Sequence, residues 1–336
     1  METELKFQVP PERRAALHRA VATATVQTTR LQAVYADTED LRLARAGLAL
    51  RLRKEGRIWV QTLKGRGDGL MQRLEHELTL PAQRGVPRLD PSRHAGTEVG
   101  LGLARLLADG SVLQPLYRTD IQRLHRSVRF EGARIEIAYD RGQLLAQGRR
   151  AQVDEIEFEL KSGPAAALPA LAQRWAARHG LWWDSRTKSE RGTRLALDVH
   201  RVPPTPPRRT PRHAGHGLRP GPGPAFRAGV MGALAQALPN AAELASGTGE
   251  AGHLRALHSA LRRLRLRLTQ AGCMAEVESL DHIRRRLAEG ADDAQAVEGV
   301  EGAGAGAVAR AGAAARHPEL TALLLRSLTL ALQAPP

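Results

Sequence analysis

The chain has 336 residues and a formal net charge of +15, with 32 glycines, 20 prolines and only 3% aromatic residues. That length suits two domains, and that charge favours an anionic partner such as nucleic acid, an acidic membrane surface or a phosphorylated small molecule. A single cysteine, Cys273, excludes an intramolecular disulfide and a cysteine-based zinc site, and without an apolar run of about 18 residues or a secretory signal the expectation is a cytoplasmic protein with no membrane partner.

The first predicted element is a strand, "ETELKF", in which Glu2, Glu4 and Lys6 alternate with Thr3, Leu5 and Phe7. Side chains of a strand alternate between faces, so two carboxylates and an ammonium share one side. A helix follows around "PPERRAALHRAVAT", with proline near its start. The next strands repeat the first pattern. Arg51 and Arg53 oppose Leu48, Leu50 and Leu52, and Lys64 lies on the face of Thr62. Arg73, Glu75 and Glu77 oppose Leu74 and Leu78. Further on, Glu136 and Asp140 oppose Ile135, Ile137 and Tyr139, while Glu155, Glu157 and Glu159 oppose Ile156, Phe158 and Leu160. "GPAAALPALAQRWAARHG" reads as a helix closed by Gly180. Short Gly-containing turns between strand runs favour antiparallel pairing.

The segment 201–226, "RVPPTPPRRTPRHAGHGLRPGPGPAF", is too rich in proline and glycine for helix or central strand, and reads as an extended linker. The domains expected are residues 1–200, a linker at 201–225, and a helical segment at 226–336. In that last part Leu254, Leu257, Leu261, Leu264 and Leu268 form an apolar helical stripe. "EGVEGAGAGAVARAGAAAR" reads as a mobile low-complexity loop, and "PELTALLLRSLTLALQ" as a closing helix. Arg255, His258, Arg262 and Arg265 fall on one helical face, which suits either solvent or polyphosphate. Specific nucleic-acid binding is not expected, because stacking aromatics are lacking. His18, His76, His94 and His125 have no metal-ligand spacing and read as surface or partly buried.

One charged strand face is ordinary, but the whole set is not. Three carboxylates at alternate positions repel one another over roughly 7 Å. A cation among them, or basic strands facing them, would relieve that. If the sheet closes into a barrel, the charged face becomes its interior, and helices must cover the apolar outside. Oxygen-only ligands suit Mg²⁺ or Mn²⁺, while arginine forks and lysines match phosphate oxygens. Together they would hold a polyphosphate.

In their order, "ETELKF", "VYADTEDLRLARAGLALRLR", "WVQTLKG", "QRLEHEL", "PLYRTDIQRL", "IEIAYDRG", "DEIEFELKSG" and "TKSERG" resemble the blocks of the CYTH superfamily of triphosphate tunnel metalloenzymes, over residues 1–197. The resemblance implies an eight-stranded antiparallel tunnel barrel with flanking helices, followed here by an α-helical C-terminal segment. It implies metal ligation by Glu2, Glu4, Asp140, Glu155, Glu157 and Glu159, with the acting pair among the last three left open. It implies that Lys6, Lys64 and Lys188 act on the phosphates, that Arg51, Arg53, Arg73, Arg118 and Arg123 bind substrate, and that Glu75 and Glu77 orient basic neighbours. Arg118 and Arg123 are out of phase along one strand unless it bulges.

The overall layout is similar to bacterial inorganic triphosphatases that carry a CYTH domain followed by a CHAD domain. "PNAAELASGTGEAGHLRALHSALRRLRLRL" resembles the first CHAD helices, in a shortened segment. The activity implied is hydrolysis of inorganic triphosphate with Mg²⁺ or Mn²⁺. The alternatives are hydrolysis of thiamine triphosphate or a nucleotide, adenylyl cyclase chemistry on the same tunnel, or polyphosphate binding without catalysis.

Overall fold

Charged and apolar positions alternate through eight strands, and the sheet that they form closes on itself. The computed structural model describes residues 2–67, 69–207, 223–288 and 301–335. The strands are β1 (Glu2–Gln8), β2 (Gln27–Asp37), β3 (Ala49–Glu55), β4 (Ile58–Arg66), β5 (Gln72–Thr79), β6 (Gln114–Phe130), β7 (Ala133–Ala146) and β8 (Arg149–Ser162). Their order is β5-β4-β3-β2-β6-β7-β8-β1, with β5 pairing β1 to shut the barrel. Every pairing is antiparallel. A short β9 (Trp182–Trp183) adds to β1 alongside β8.

The expected inversion holds: charge faces inward and the apolar face is covered by helices. On β1, Leu5 and Phe7 are buried on the outside, where Phe7 meets the ring of Phe158 edge-on at 5.7 Å. Phe158 in turn meets Trp175 of α4 (Ala167–His179), which Gly180 caps. Truncating Phe158 would remove about 3–5 kcal/mol of packing. On the opposite side, Leu50 and Leu63 pack with Leu43 of α2 (Arg42–Arg45) and with Val99 and Leu103 of α3 (Glu98–Leu106). The remaining barrel helices are α1 (Arg14–Val21) and α5 (Lys188–Leu197).

Residues 201–207 carry no helix or strand, and the predicted linker otherwise falls largely on 208–222, outside the described residues. The C-terminal region then contains α6 (Pro224–Ser246), α7 (Ala251–Gln270), α8 (Met274–Ala288), α9 (Glu301–Arg316) and α10 (Pro318–Gln333). The leucine stripe of α7 is buried as the spacing predicts. One apolar cluster runs from the outer face of β1, β7 and β8 through α4 into these helices. Among the described residues, no helix is long and apolar enough to cross a membrane.

One sequence expectation is overturned here. Of the supposed mobile loop at 298–316, residues 298–300 lie outside the described residues, and 301–316 are the helix α9. Ala307, Ala311 and Ala315 recur every fourth residue and are all buried. Alanine is the best helix former, and a small-residue face lets two backbones approach. At Gly312 an added Cβ would lie 2.7 Å from the Leu244 carbonyl of α6, so only glycine fits. The low complexity encodes close packing.

Candidate active site: a charged tunnel

The barrel interior is a cavity of about 870 Å³. Eleven Asp and Glu and ten Lys and Arg line it, so the lumen is close to neutral and the +15 of the chain lies elsewhere. The charges are sorted by strand. Arg51 and Arg53 come from β3, Lys64 from β4, and Arg73, Glu75 and Glu77 from β5. Glu2, Glu4 and Lys6 come from β1, Arg123 from β6, Glu136 and Asp140 from β7, and Glu157 and Glu159 from β8.

On the β3–β5 wall the guanidiniums are held but not exhausted. Arg51 donates to the Tyr35 hydroxyl at 3.1 Å and lies 4.0 and 3.9 Å from Glu75 and Glu77. Arg53 pairs with Glu55 and, at 3.2 Å, with Glu77. The Nε atoms of both arginines are buried and have no hydrogen-bond partner among the described residues. The Tyr117 hydroxyl is in the same condition, its ring stacked on Tyr35 at 4.5 Å. Burial drives the basicity of Arg51 down, but Tyr35 and Glu75 reverse it and keep the charge fixed. An unspent buried donor costs about 1–3 kcal/mol, so these three, two on β3 and one on β6, point to an acceptor that belongs there.

The β7–β8 wall is saturated. Lys188, the first residue of α5, reaches in behind the N-cap Thr187, whose hydroxyl accepts from the Glu190 N–H at 2.9 Å. Gly192, one turn further, lets the helix lie against the Tyr117 ring, with no room for a Cβ. The Lys188 ammonium sits 2.7 Å from Asp140, 2.5 Å from Glu155 and 2.8 Å from Glu157. Arg123 forks onto Asp140 with two 2.7 Å bonds and reaches Glu157 at 2.6 Å. Burial penalises all of these charges, yet mutual attraction wins. Lys188 is raised well above its ordinary value, while Asp140 and Glu157 are pushed below theirs.

β1 lies between the two walls. Its Glu2 accepts from Lys64 at 2.7 Å and its Glu4 from Arg73 at 2.5 Å. Burial raises Glu2 in spite of Lys64, and the neighbouring Glu75 adds to the rise. Glu159 faces Glu4 in register and is likewise raised by burial, with the Glu2 charge adding to the effect. Lys6 is almost fully enclosed, donates to the Arg186 carbonyl and lies 3.9 Å from Glu155. Burial lowers its pKa, outweighing Glu155 and Asp184.

Two carboxylate groups are candidates for a metal. Asp140, Glu155 and Glu157 bring ligand oxygens within 4.8 Å of one another, but the Lys188 ammonium already occupies the space between them. Glu2, Glu4 and Glu159 also face the lumen as oxygen donors, each held by one cation, Lys64 at 2.7 Å, Arg73 at 2.5 Å and Lys161 at 2.6 Å. Such a group suits a hard divalent cation.

The CYTH domain family matches residues 1–193 of this chain, more than half of its length. The chain belongs to the CYTH domain family. An inorganic triphosphatase of Haemophilus influenzae is 32% identical over 197 residues, which are 57% of this chain and 54% of that protein. The chain thus spans about half the length of the curated relative it matches. Solved structures with similarity include an adenylate cyclase candidate of Bacillus halodurans, 21% identical over 57% of this chain and 96% of that one, TM-score 0.41. Another is an adenylyl cyclase candidate from Hippeastrum with a dominant triphosphatase activity, 17% identical over 57% of this chain and 95% of that one, TM-score 0.39.

Within this CYTH barrel, all but two of the residues expected at the site line the cavity. Glu155 is the first exception. It is fully buried behind the wall, against Lys188, Arg191 and Gln8. Arg118 is the second, and here the expectation is corrected. Tyr117, Thr119, Ile121 and Arg123 line the lumen, so Arg118 has the opposite phase and is exposed on the outside. Pairing of β6 with β2 and β7 runs in continuous register from Arg118 to Arg123, so no bulge brings both inward. The basic face of α7 is partly spent: Arg265 pairs with Asp281 of α8 at 2.8 Å, while Arg255 and Arg262 are exposed.

Several contributors escaped the sequence reading. Tyr35 and Tyr117 alternate correctly with their strands, but aromatics carry no charge signal. Lys161 binds Glu159 at 2.6 Å from the end of β8. Arg191 lies three residues after Lys188 on one helical face, a spacing that could have announced its bond to Glu155 at 2.8 Å. His94 is wholly buried rather than at the surface, with the His76 Nδ1 at 2.9 Å, and burial lowers its pKa to about 4.

Proposed function

We propose that the tunnel hydrolyses inorganic triphosphate to pyrophosphate and phosphate with Mg²⁺ or Mn²⁺. The observation that carries this reading is the set of unspent buried donors, Arg51 Nε, Arg53 Nε and Tyr117 Oη, in a barrel whose lumen also presents Glu2, Glu4 and Glu159. The inorganic triphosphatase activity named for the Haemophilus influenzae relative supports the substrate.

In this mechanism Arg51 and Arg53 fork onto non-bridging phosphate oxygens, and Lys64 adds a point charge from the neighbouring strand. Lys64 keeps its proton because Glu2, Glu4 and Glu75 outweigh its burial. Arg73 supports Glu4, and Lys6 and Lys188 bring positive charge to the far side of the lumen. Glu2, Glu4 and Glu159 would hold the metal, with Asp140, Glu155 and Glu157 acting through Lys188 and Arg123. When bound, the metal supplies Lewis-acid polarisation of a phosphoryl oxygen and activation of water. Water adds to the terminal phosphorus, the bridging P–O bond breaks, and the fixed cations offset the charge left on pyrophosphate. A polyphosphate partner on α7 would rest on Arg255 and Arg262.

A substrate panel tests the proposal: phosphate release from inorganic triphosphate, ATP and thiamine triphosphate, each with Mg²⁺, Mn²⁺ or chelator. Metal-dependent release from the inorganic substrate well above the others is the expected result. Release from an organic triphosphate alone, or tight triphosphate binding without release, would overturn it.

A further inference from the structure

A second cavity, of about 620 Å³, lies where the barrel meets the C-terminal helices. Its walls come from the turn after β1, from α1, from α5 and from the α9–α10 junction. In contrast to the near-neutral tunnel, five arginines and only two carboxylates line it. Three of the arginines are committed. Arg14 pairs with Asp154 at 2.5 Å, Arg186 forks onto Asp184 at 2.9 and 3.0 Å, and Arg191 holds Glu155 at 2.8 Å. The other two have no carboxylate partner among the described residues. Arg13 is exposed at the mouth beside Gly180, and Arg316 donates to the Ala245 carbonyl at 2.6 Å. His317 caps α10 at the same rim, so the positive end of that helix faces the same space.

We propose that this junction cavity is a second anion site, taking a free phosphate or pyrophosphate between Arg13 and Arg316. Its volume is ordinary for a small-ligand pocket, and two guanidiniums from separate elements, one before α1 and one at the end of α9, offer the donors that phosphate oxygens accept. The ligand class follows from the charge balance: with Arg14, Arg186 and Arg191 neutralised by Asp154, Asp184 and Glu155, Arg13 and Arg316 outweigh the one remaining lining carboxylate, Glu12. A nucleotide is disfavoured, because Trp182 is the sole aromatic ring among the described lining residues apart from His317, and it is buried in β9 beside β1. The two cavities share a wall. Arg191 lines the junction, its partner Glu155 meets Lys188, and Lys188 lines the tunnel. Binding at the junction is independent of what the tunnel hydrolyses.

The experiment is calorimetric titration of the full chain with inorganic pyrophosphate in chelator, so that no turnover intervenes. Wild type is compared with a tunnel variant, Arg51→Ala with Lys64→Ala, and with a junction variant, Arg13→Gln with Arg316→Gln. The expected result is a residual site in the tunnel variant whose affinity falls about tenfold or more when the junction substitutions are added. The junction pair is at the surface, and circular dichroism with unchanged tunnel turnover verifies its fold. Pyrophosphate binding abolished by the tunnel substitutions alone would overturn the proposal. So would residual binding that is indifferent to Arg13 and Arg316, or that proves an adventitious ion only, seen with sulfate at equal affinity.

Discussion

The two walls of the tunnel both hold arginine or lysine beside carboxylates and differ in how those cations are spent. On the β7–β8 wall, Lys188 meets Asp140 and Glu155, both fully buried, at 2.7 and 2.5 Å, and Arg123 meets Asp140 at 2.7 Å. On the β3–β5 wall, Arg51 stands 3.9–4.0 Å from its carboxylates, and Glu77 is 42% exposed. A cation locked among buried carboxylates is part of the fold, whereas a cation with an unspent N–H is available to a ligand. The presence of lysine and arginine in a lumen therefore says less than their pairing. Function is read from the loose wall and stability from the tight one.

That contrast is easiest to break at Asp140. Asp140→Asn leaves Lys188 and Arg123 with reduced compensation in a buried setting, and a loss of about 3–5 kcal/mol in denaturant unfolding is expected. Arg51→Ala has the reverse profile. It should cost less stability than Asp140→Asn but lower kcat/KM for triphosphate by about 10²–10³. Similar stability losses for the two variants would erase the distinction between the walls.

Acid titration sharpens it further. Asp140 and Glu157 lie below their ordinary values of 3.8 and 4.5, so in the fold they hold protons less readily than in the unfolded chain. Their contribution is complete above those ordinary values and is lost as pH falls through the folded ones. Unfolding free energy should thus drop below about pH 4.5, with a shallower slope in Glu157→Gln; parallel slopes would remove Glu157 from the account. The smallest effect belongs to Arg118→Ala, which faces outward and should leave turnover within about twofold, against the loss at Arg51.

Much of this was legible in the sequence, for a physical reason. Strand alternation has a period of two, so Glu2, Glu4 and Lys6, or Arg73, Glu75 and Glu77, declare a common face without coordinates. The 17-residue β6 does not declare its face, because it carries cations in both phases, Arg118 and Arg123, and only the register against β2 and β7 decides between them. Nor does sequence report pairing. That Glu155 sits behind the wall and that Lys188 fills the three-carboxylate group are outcomes of packing between α5 and β8. In α9, composition misled because glycine and alanine signal looseness only where nothing packs against them, and here α6 does.

The most direct test of the central claim is phosphate release from inorganic triphosphate by wild type and by Glu4→Gln, each across a titration of Mn²⁺ and in chelator. The account predicts wild-type turnover that rises with metal and vanishes in chelator, and a Glu4→Gln protein that folds normally but stays at least about a hundredfold slower at every metal concentration. Wild-type turnover unaffected by chelator, or full activity in Glu4→Gln, would contradict it.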